Sequence, residues 1–341
     1  MLSKPYSSVI VTGSIGYDEI MDFPGKFVDY FHPERLHQIN VSFVVDRLER
    51  QLGGIAVNIA YNISFLTTKK ITILGAVGKD GGQILNFLKK RSINVSGIIK
   101  DNRLYSSCGT VFTDRNDNQI WGYYYGAAIR AKEIKLSLSV NQNSILVIDA
   151  NHQNAFLNFQ KQAIDQKIDY LYDPGMGISV IPKNKLIDGI MNCRWLIGND
   201  YEIANILRIT KLKKELLFKK KIAIITTLGE KGVRYEEKYQ KSKIKHKKHI
   251  LKIKNKKKFK TEINKGIKII TIPSYQVKKV IDPTGAGDAW RGGFVGGLLE
   301  NKPLIDCLKL GNVMASFAIE KYGTVNHRPS KKEIEKRLKA I

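Results

Sequence analysis

Apolar residues along this chain follow two different periods. Short runs are apolar at nearly every position: SVIVTGSI (8–15), KITILGAVGKD (70–80), ILVIDA (145–150), YLYDPG (170–175), RWLIGND (194–200) and IAIITTLG (222–229). Runs of that length without alternation predict strands buried on both faces. Between them, apolar residues recur three and four apart over 53–66, 81–93, 154–167, 183–192, 200–208, 287–300 and 304–321. That spacing predicts amphipathic helices. Strand–helix alternation implies an α/β fold, a mostly parallel sheet with helices on both faces. Ligands then bind beyond the carboxyl ends of the strands.

Two stretches break this rhythm, about 17–52 and 103–128. They alternate instead, as in Val41–Val45 (VSFVV), SSCGTVFTD and QIWGYYYG, with RNDN as a hairpin turn. We read them as one small β-sheet that projects from the main layer and closes over the site. A further hairpin is expected near 232–277. No inter-domain linker or internal repeat is visible, so residues 1–341 read as one domain plus this lid.

Charge changes the picture less than its size suggests. The net charge is +26, but residues 238–268 hold 14 lysines against one acid, Glu262, and so +13 of it. That segment has no arginine, and Tyr239 and Phe259 are its aromatics. Readers of nucleic acid favour arginine forks and stacked rings. The segment therefore reads as a lysine-rich surface insert, and no nucleic-acid partner is expected. No run of 18 apolar residues indicates a membrane span. The start reads as a first strand, not a signal peptide. Three widely spaced cysteines, Cys108, Cys193 and Cys307, fit a reducing cytoplasm.

Candidate chemistry concentrates in IDPTGAGDAWRGGF, 281–294. Gly285, Ala286 and Gly287 leave backbone N–H groups uncovered at a helix start, a natural anion site. Asp288 follows where a phosphoryl group would sit, suited to accept a proton from an attacking hydroxyl. By itself, a Gly-x-Gly turn with an Asp is equally an N-cap. Gly53 and Gly54 precede another helix, with Asn58 one turn on. Asp18 follows the first strand and could accept two hydroxyl hydrogens. Asn199-Asp200-Tyr201-Glu202 closes a strand and opens a helix; alone it reads as a capped helix start. Thr226 to Gly232 (TTLGEKG) is another glycine-bearing strand end. No GxxxxGK[ST] loop is present, and the six histidines lack ligand spacing.

The 281–294 run resembles the second signature of the PfkB family of carbohydrate and nucleoside kinases, following it at Asp282, Gly285, Ala286, Gly287, Asp288, Gly292 and Gly293. Gly53-Gly54 with Asn58 resembles the first signature, departing from it at Thr67–Thr68. This resemblance implies a ribokinase-like three-layer α/β/α fold, ATP and Mg²⁺ as cofactors, and room for a monovalent cation such as K⁺. It implies Asp288 as base, with the N–H groups of 285–287 and Arg291 stabilising the moving phosphoryl group. Asp18, Gly54 and Asn58 would orient the acceptor. Thr227, Gly229, Gly232 and Asn312 would face the nucleotide. Asn199 and Glu202 would act near the phosphates through Mg²⁺ and its waters.

Within the family, GSIGYDEIMDFPGKF (13–27), HPERLHQINVSFVVDRLERQLGG (32–54) and GTVNHR (323–328) resemble the mycobacterial-type adenosine kinases. That likeness implies adenosine as acceptor and a lid aromatic stacked on the purine: Tyr123, with Phe43 behind it. It leaves a homodimer through the lid open. The chain departs from the branch at Met176, where glutamine is usual. Two alternatives stand beside it, a kinase for a free sugar such as ribose or fructose and a non-catalytic binding protein on a kinase fold.

Overall fold

A computed structural model describes residues 5–31, 40–116, 118–141, 143–239 and 259–341. Strand β1 (Ser8–Thr12) is followed by β2 (Gly16–Asp22), β3 (Arg47–Gly53) and helix α1 (Ile55–Ile63). Next come β4 (Lys70–Val77), α2 (Gly82–Lys89), β5 (Asn94–Lys100), β6 (Ser107–Thr113) and β7 (Gln119–Tyr124). The alternating part runs β8 (Ser144–Ile148), α3 (Gln153–Asp165), β9 (Tyr170–Tyr172), α4 (Lys183–Asn192), β10 (Trp195–Asn199), α5 (Asp200–Thr210), α6 (Lys214–Lys219) and β11 (Ala223–Thr227). It closes with β12 (Val233–Lys238), β13 (Lys260–Asn264), β14 (Ile267–Ile272), α7 (Ala286–Leu299), α8 (Leu304–Ala318) and α9 (Lys331–Ala340).

The large sheet has ten strands in the order β13-β14-β12-β11-β10-β9-β8-β1-β4-β5. From β11 to β5 every pairing is parallel, whereas β12, β14 and β13 add an antiparallel edge. Alternation along each strand divides the core in two. Val9, Val11, Ile71, Ile73 and Ile225 join Val57, Phe294 and Leu298 on one face. Ile10, Leu146, Ile148, Leu196 and Ile224 join Phe156, Phe159 and Ile206 on the other. This is the ribokinase-like layered α/β fold.

The second sheet has four strands in the order β3-β2-β6-β7. Its strands come from the two alternating stretches, but Val41–Val45 is not one of them. Phe43 instead packs into an aromatic cluster with Phe23 and Phe27, at centroid distances of 4.7 and 5.2 Å. The strand beside β2 is RLERQLG, whose charges hide the alternation. The expected hairpin near 232–277 is three strands, and β13 uses residues counted above with the lysine-rich insert. Most of that insert lies outside the described residues. Among the described residues, no helix is long and apolar enough to cross a membrane.

Candidate active site

Helix α7 starts on Gly285, whose φ of +75° is left-handed. A Cβ there would lie 2.8 Å from Thr324 Cγ2, so glycine is required twice over. Asp282 holds the loop: Oδ1 accepts the Thr284 N–H at 2.8 Å and Oδ2 the Gly323 N–H at 2.9 Å. Of the three loop N–H groups, that of Ala286 turns back to Pro283 O at 3.2 Å.

Asp288 projects from the first turn of α7 and accepts Asn58 Nδ2–H at 2.8 Å. The two helices approach closely because Gly292 of α7 has no side chain; its Cβ would meet Asn62 Cβ at 2.4 Å. Asn58 Oδ1 is buried and has no partner. A buried acceptor of that kind calls for a donor such as a ligand hydroxyl. Asp18, on β2, lies over Gly53, where a Cβ would come within 2.1 Å of its Oδ2. Burial, Asp288 and Asp282 push the Asp18 carboxyl up to about 6. Burial also pushes Asp288 up to about 6, against the pull of Arg291 and Asn58 and with added repulsion from Asp173. Two carboxyls of raised proton affinity thus face one space.

One turn on, Arg291 Nε donates to Asp173 Oδ2 at 2.7 Å, and a second guanidinium nitrogen bonds the same oxygen. Asp149 Oδ2 lies 3.1 Å from Nε, and Asp288 Oδ1 lies 3.8 Å from NH1. Burial alone would lower the proton affinity of Arg291, but Asp173, Asp149 and Asp288 raise it. Asp149 and Asp173 directly follow β8 and β9, at the carboxyl ends of adjacent strands. Sequence reasoning passed over both. The available signal was an acid closing a fully apolar run, in VIDA and LYDP. The guanidinium expected at the moving phosphoryl group is thus engaged with carboxylates.

Beyond the loop lies a cleft of about 370 Å³. Thr227, Gly229 and Gly232 line it with Val280, Ile319, Ala286 and Gly287. Asn312 also borders it, but its polar atoms are engaged. Its Oδ1 accepts Trp290 Nε1–H at 2.8 Å, and its Nδ2 donates to Ile272 O at 3.2 Å and Pro273 O at 2.7 Å. Asn312 braces the cleft wall rather than facing a nucleotide with free groups. Asn199 and Glu202 form a reciprocal capping box on α5, each side chain accepting the other's backbone N–H at 2.8 Å. Burial, then Asp173, raises the Glu202 carboxyl, while the Asn199 amide and Arg291 oppose this.

The family description "pfkB family carbohydrate kinase" matches residues 25–252 and 263–331. The chain belongs to the PfkB family. It is therefore a sugar or nucleoside kinase, a transferase with an alcohol group as acceptor. It is 27% identical to a nucleoside kinase of Methanocaldococcus jannaschii over 91% of its own length and 93% of the relative's. A ribokinase of Lactococcus lactis is 25% identical over 85% of this chain and 86% of its own. The solved M. jannaschii nucleoside kinase superposes with a TM-score of 0.79 at 25% identity, covering 99% of this chain and 100% of that one. The nucleoside kinase of Burkholderia thailandensis, solved with inosine, gives a TM-score of 0.80 at 24% identity over 97% of each chain and shares the fold.

In this PfkB kinase the small sheet carries Asp18 towards the loop. Asp18, Gly109 and Tyr123 pair across β2, β6 and β7, so they share one face. Tyr123 is 46% exposed and its hydroxyl meets Ser14 and Ser107. Its ring stands edge-on to Tyr125 at 5.0 Å, and Tyr125 edge-on to His152 at 5.2 Å. Phe43 is not behind Tyr123. It packs on Phe112 at 5.9 Å, and Phe112 is three residues from Gly109, hence on the opposite face. Met176 belongs to a 3-10 turn, Gly175–Ser179, but its side chain lies outside the described residues.

Proposed function

We propose that this kinase transfers the γ-phosphoryl group of ATP to the primary hydroxyl of a nucleoside, adenosine foremost. One observation carries the reading. Asp288, its side chain 15% exposed, stands at the head of α7, held by Asn58, opposite Asp18, with the apolar cleft opening beside it at Ala286 and Gly287. The nucleoside kinase relatives support a nucleoside acceptor, and the 13–27 and 323–328 motifs support adenosine. Tyr123, on the Asp18 face of the small sheet, supplies an aromatic surface for a base.

The chemistry follows from the placement. The ribose lies between Asp18 and Asn58, whose unpartnered Oδ1 accepts one of its hydroxyls. The primary hydroxyl gives its proton to the Asp288 carboxylate as its oxygen attacks the γ-phosphorus, and ADP leaves. The N–H groups opening α7 receive charge on the moving group. The small sheet acts as a lid that excludes water, a competing acceptor. The residues fit Mg²⁺ held through water: Glu202 offers a carboxylate whose hydrogen bond goes to backbone, and magnesium keeps most of its waters. Bound there, Mg²⁺ would neutralise phosphate charge, with Glu202 and Asn199 reaching it through water.

A coupled assay with ATP over adenosine, inosine, ribose and fructose tests the acceptor. Adenosine giving the highest kcat/KM is expected; ribose or fructose leading would establish the free-sugar reading instead.

A further inference from the structure

The reading above leaves three charged residues without a task. Asp149 and Asp173 are 2% and 0% exposed, and Arg291 lies between them. Burying two carboxylates and a guanidinium together is a costly arrangement unless it has a use. We propose that Asp149 and Asp173 are positioning residues that fix Arg291 beside Asp288 and temper its charge, so that the arginine serves the base and not the moving phosphoryl group.

Three features carry this. Two of the guanidinium nitrogens donate to Asp173 Oδ2, and Asp149 Oδ2 lies 3.1 Å from Nε as an ion pair without a hydrogen bond. The remaining one, NH1, is aimed at Asp288 Oδ1 from 3.8 Å. The room NH1 occupies exists because residue 287 is glycine; a Cβ there would stand 2.7 Å from it. The second glycine of the GAGD loop therefore serves Arg291 as well as the anion site. The carboxylates that hold Arg291 are themselves fixed by backbone. Asp149 Oδ1 accepts the Ala150 N–H at 2.7 Å and Asp173 Oδ1 the Gly175 N–H at 2.9 Å.

The charged groups around Asp288 are few. Arg291 comes from α7, Asp18 from β2, and Asp149 and Asp173 from the ends of β8 and β9; α1 contributes neutral Asn58. Glu202 acts on this set through Asp173 and Arg291, and Asp282 through Asp18. Arg291 favours the ionised base and Asp173 opposes it. Removing the two kinds of charge must therefore move the base in opposite directions.

The inference rests on Asp288 being the base. The measurement is kcat/KM against pH with ATP and the fastest acceptor among adenosine, inosine, ribose and fructose. Arg291→Gln is expected to move the acid limb to higher pH by about one unit or more. Asp173→Asn and Asp149→Asn keep a hydrogen-bond acceptor for the arginine and are expected to move the limb to lower pH, Asp173→Asn further. Gly287→Ala, which displaces NH1 without altering charge, should shift it in the direction of Arg291→Gln. A purely structural role would lower activity at every pH and leave the limb in place. Limbs that stay put, or that all move one way, overturn the inference. Should Arg291→Gln fail to fold, the two Asn variants decide, since an unmoved limb in both overturns it. The two readings separate: turnover retained in Asp288→Asn defeats the base itself, whereas turnover lost there with unmoved limbs elsewhere defeats only the role given to Arg291.

Discussion

The proposed phosphoryl end of the site and the proposed nucleotide cleft beside it are built on opposite plans. Around Asp288 the chain gathers charge in a largely buried site: Asp18, Asp149, Asp173, Arg291 and Asp288 converge from four elements and the turns after them, and all but Asp18 are held by named hydrogen bonds. Around the cleft it offers surface: Val280, Ala315, Ile319 and glycine backbone, with its one buried asparagine already engaged. The first plan fixes geometry and proton affinity, as chemistry requires. The second relies on contact area, which tolerates variation. A substitution at the phosphoryl end should therefore alter turnover, and one in the cleft should alter affinity.

The sharpest break of that contrast is at Asp288. Asp288→Asn should lower kcat by about 10²- to 10⁴-fold, the usual worth of a general base, with the KM for ATP little changed. A kcat within a few-fold of the parent would dissolve the distinction between the two regions. Next is Asn58→Ala, which removes a donor to Asp288 and an acceptor for the substrate. Steady-state kinetics should show a loss of roughly 10- to 100-fold in kcat/KM for the acceptor, the range for a hydrogen bond to a charged group. On the cleft side, Ile319→Ala removes apolar contact area and should raise the KM for ATP about 5- to 10-fold at constant kcat. A fall in kcat of the same size would show that the cleft also fixes geometry. Asn312→Leu should cost about 1–3 kcal/mol of stability in denaturant unfolding, because it strands Trp290 Nε1–H and two carbonyls. The preference for ATP over GTP should not change.

The smallest effect concerns stability against pH. Folding raises the Asp18 carboxyl from 3.8 to about 6, so the folded state holds this proton more tightly than the unfolded chain does. The stabilising contribution is complete below pH 3.8 and disappears as pH rises through 6. Asp18→Asn should therefore raise Tm at pH 8, by on the order of a few degrees, and leave it nearly unchanged at pH 4. An equal shift at both values would mean that the side chain matters through packing and not through charge.

Much of the phosphoryl end was legible because its information is local. The run from Asp282 to Asp288 contains the turn, the helix start and the proposed base in consecutive residues, and the strands announce themselves by unbroken apolar runs. What was not legible depends on residues far apart in the chain. Asp149 and Asp173 meet Arg291 across 142 and 118 positions, and no local pattern encodes the register that joins them. Asn312 was expected to face the nucleotide because its partners, Trp290 and the carbonyls at the end of β14, come from two other segments. The alternating VSFVV suggested a strand and the likeness to adenosine kinases put Phe43 behind Tyr123, but the segment folds as no strand and the Phe43 ring packs on Phe23, Phe27 and Phe112. Helix α9, KKEIEKRLKA, shows too few apolar positions to announce itself; Ile334 alone is buried.

Asp282 has a consequence for the order in which the enzyme comes into being. One of its oxygens holds Thr284 and the other holds Gly323, and Thr324 occupies the space beside Gly285. The anion loop is therefore shaped partly by residues synthesised 41 positions after Asp282. A chain that has not yet reached Gly323 lacks half of the support for its loop. Competence for phosphoryl transfer is thus expected only once the segment from Gly323 onward has been made and docked. Products truncated before Gly323 would not be expected to consume ATP.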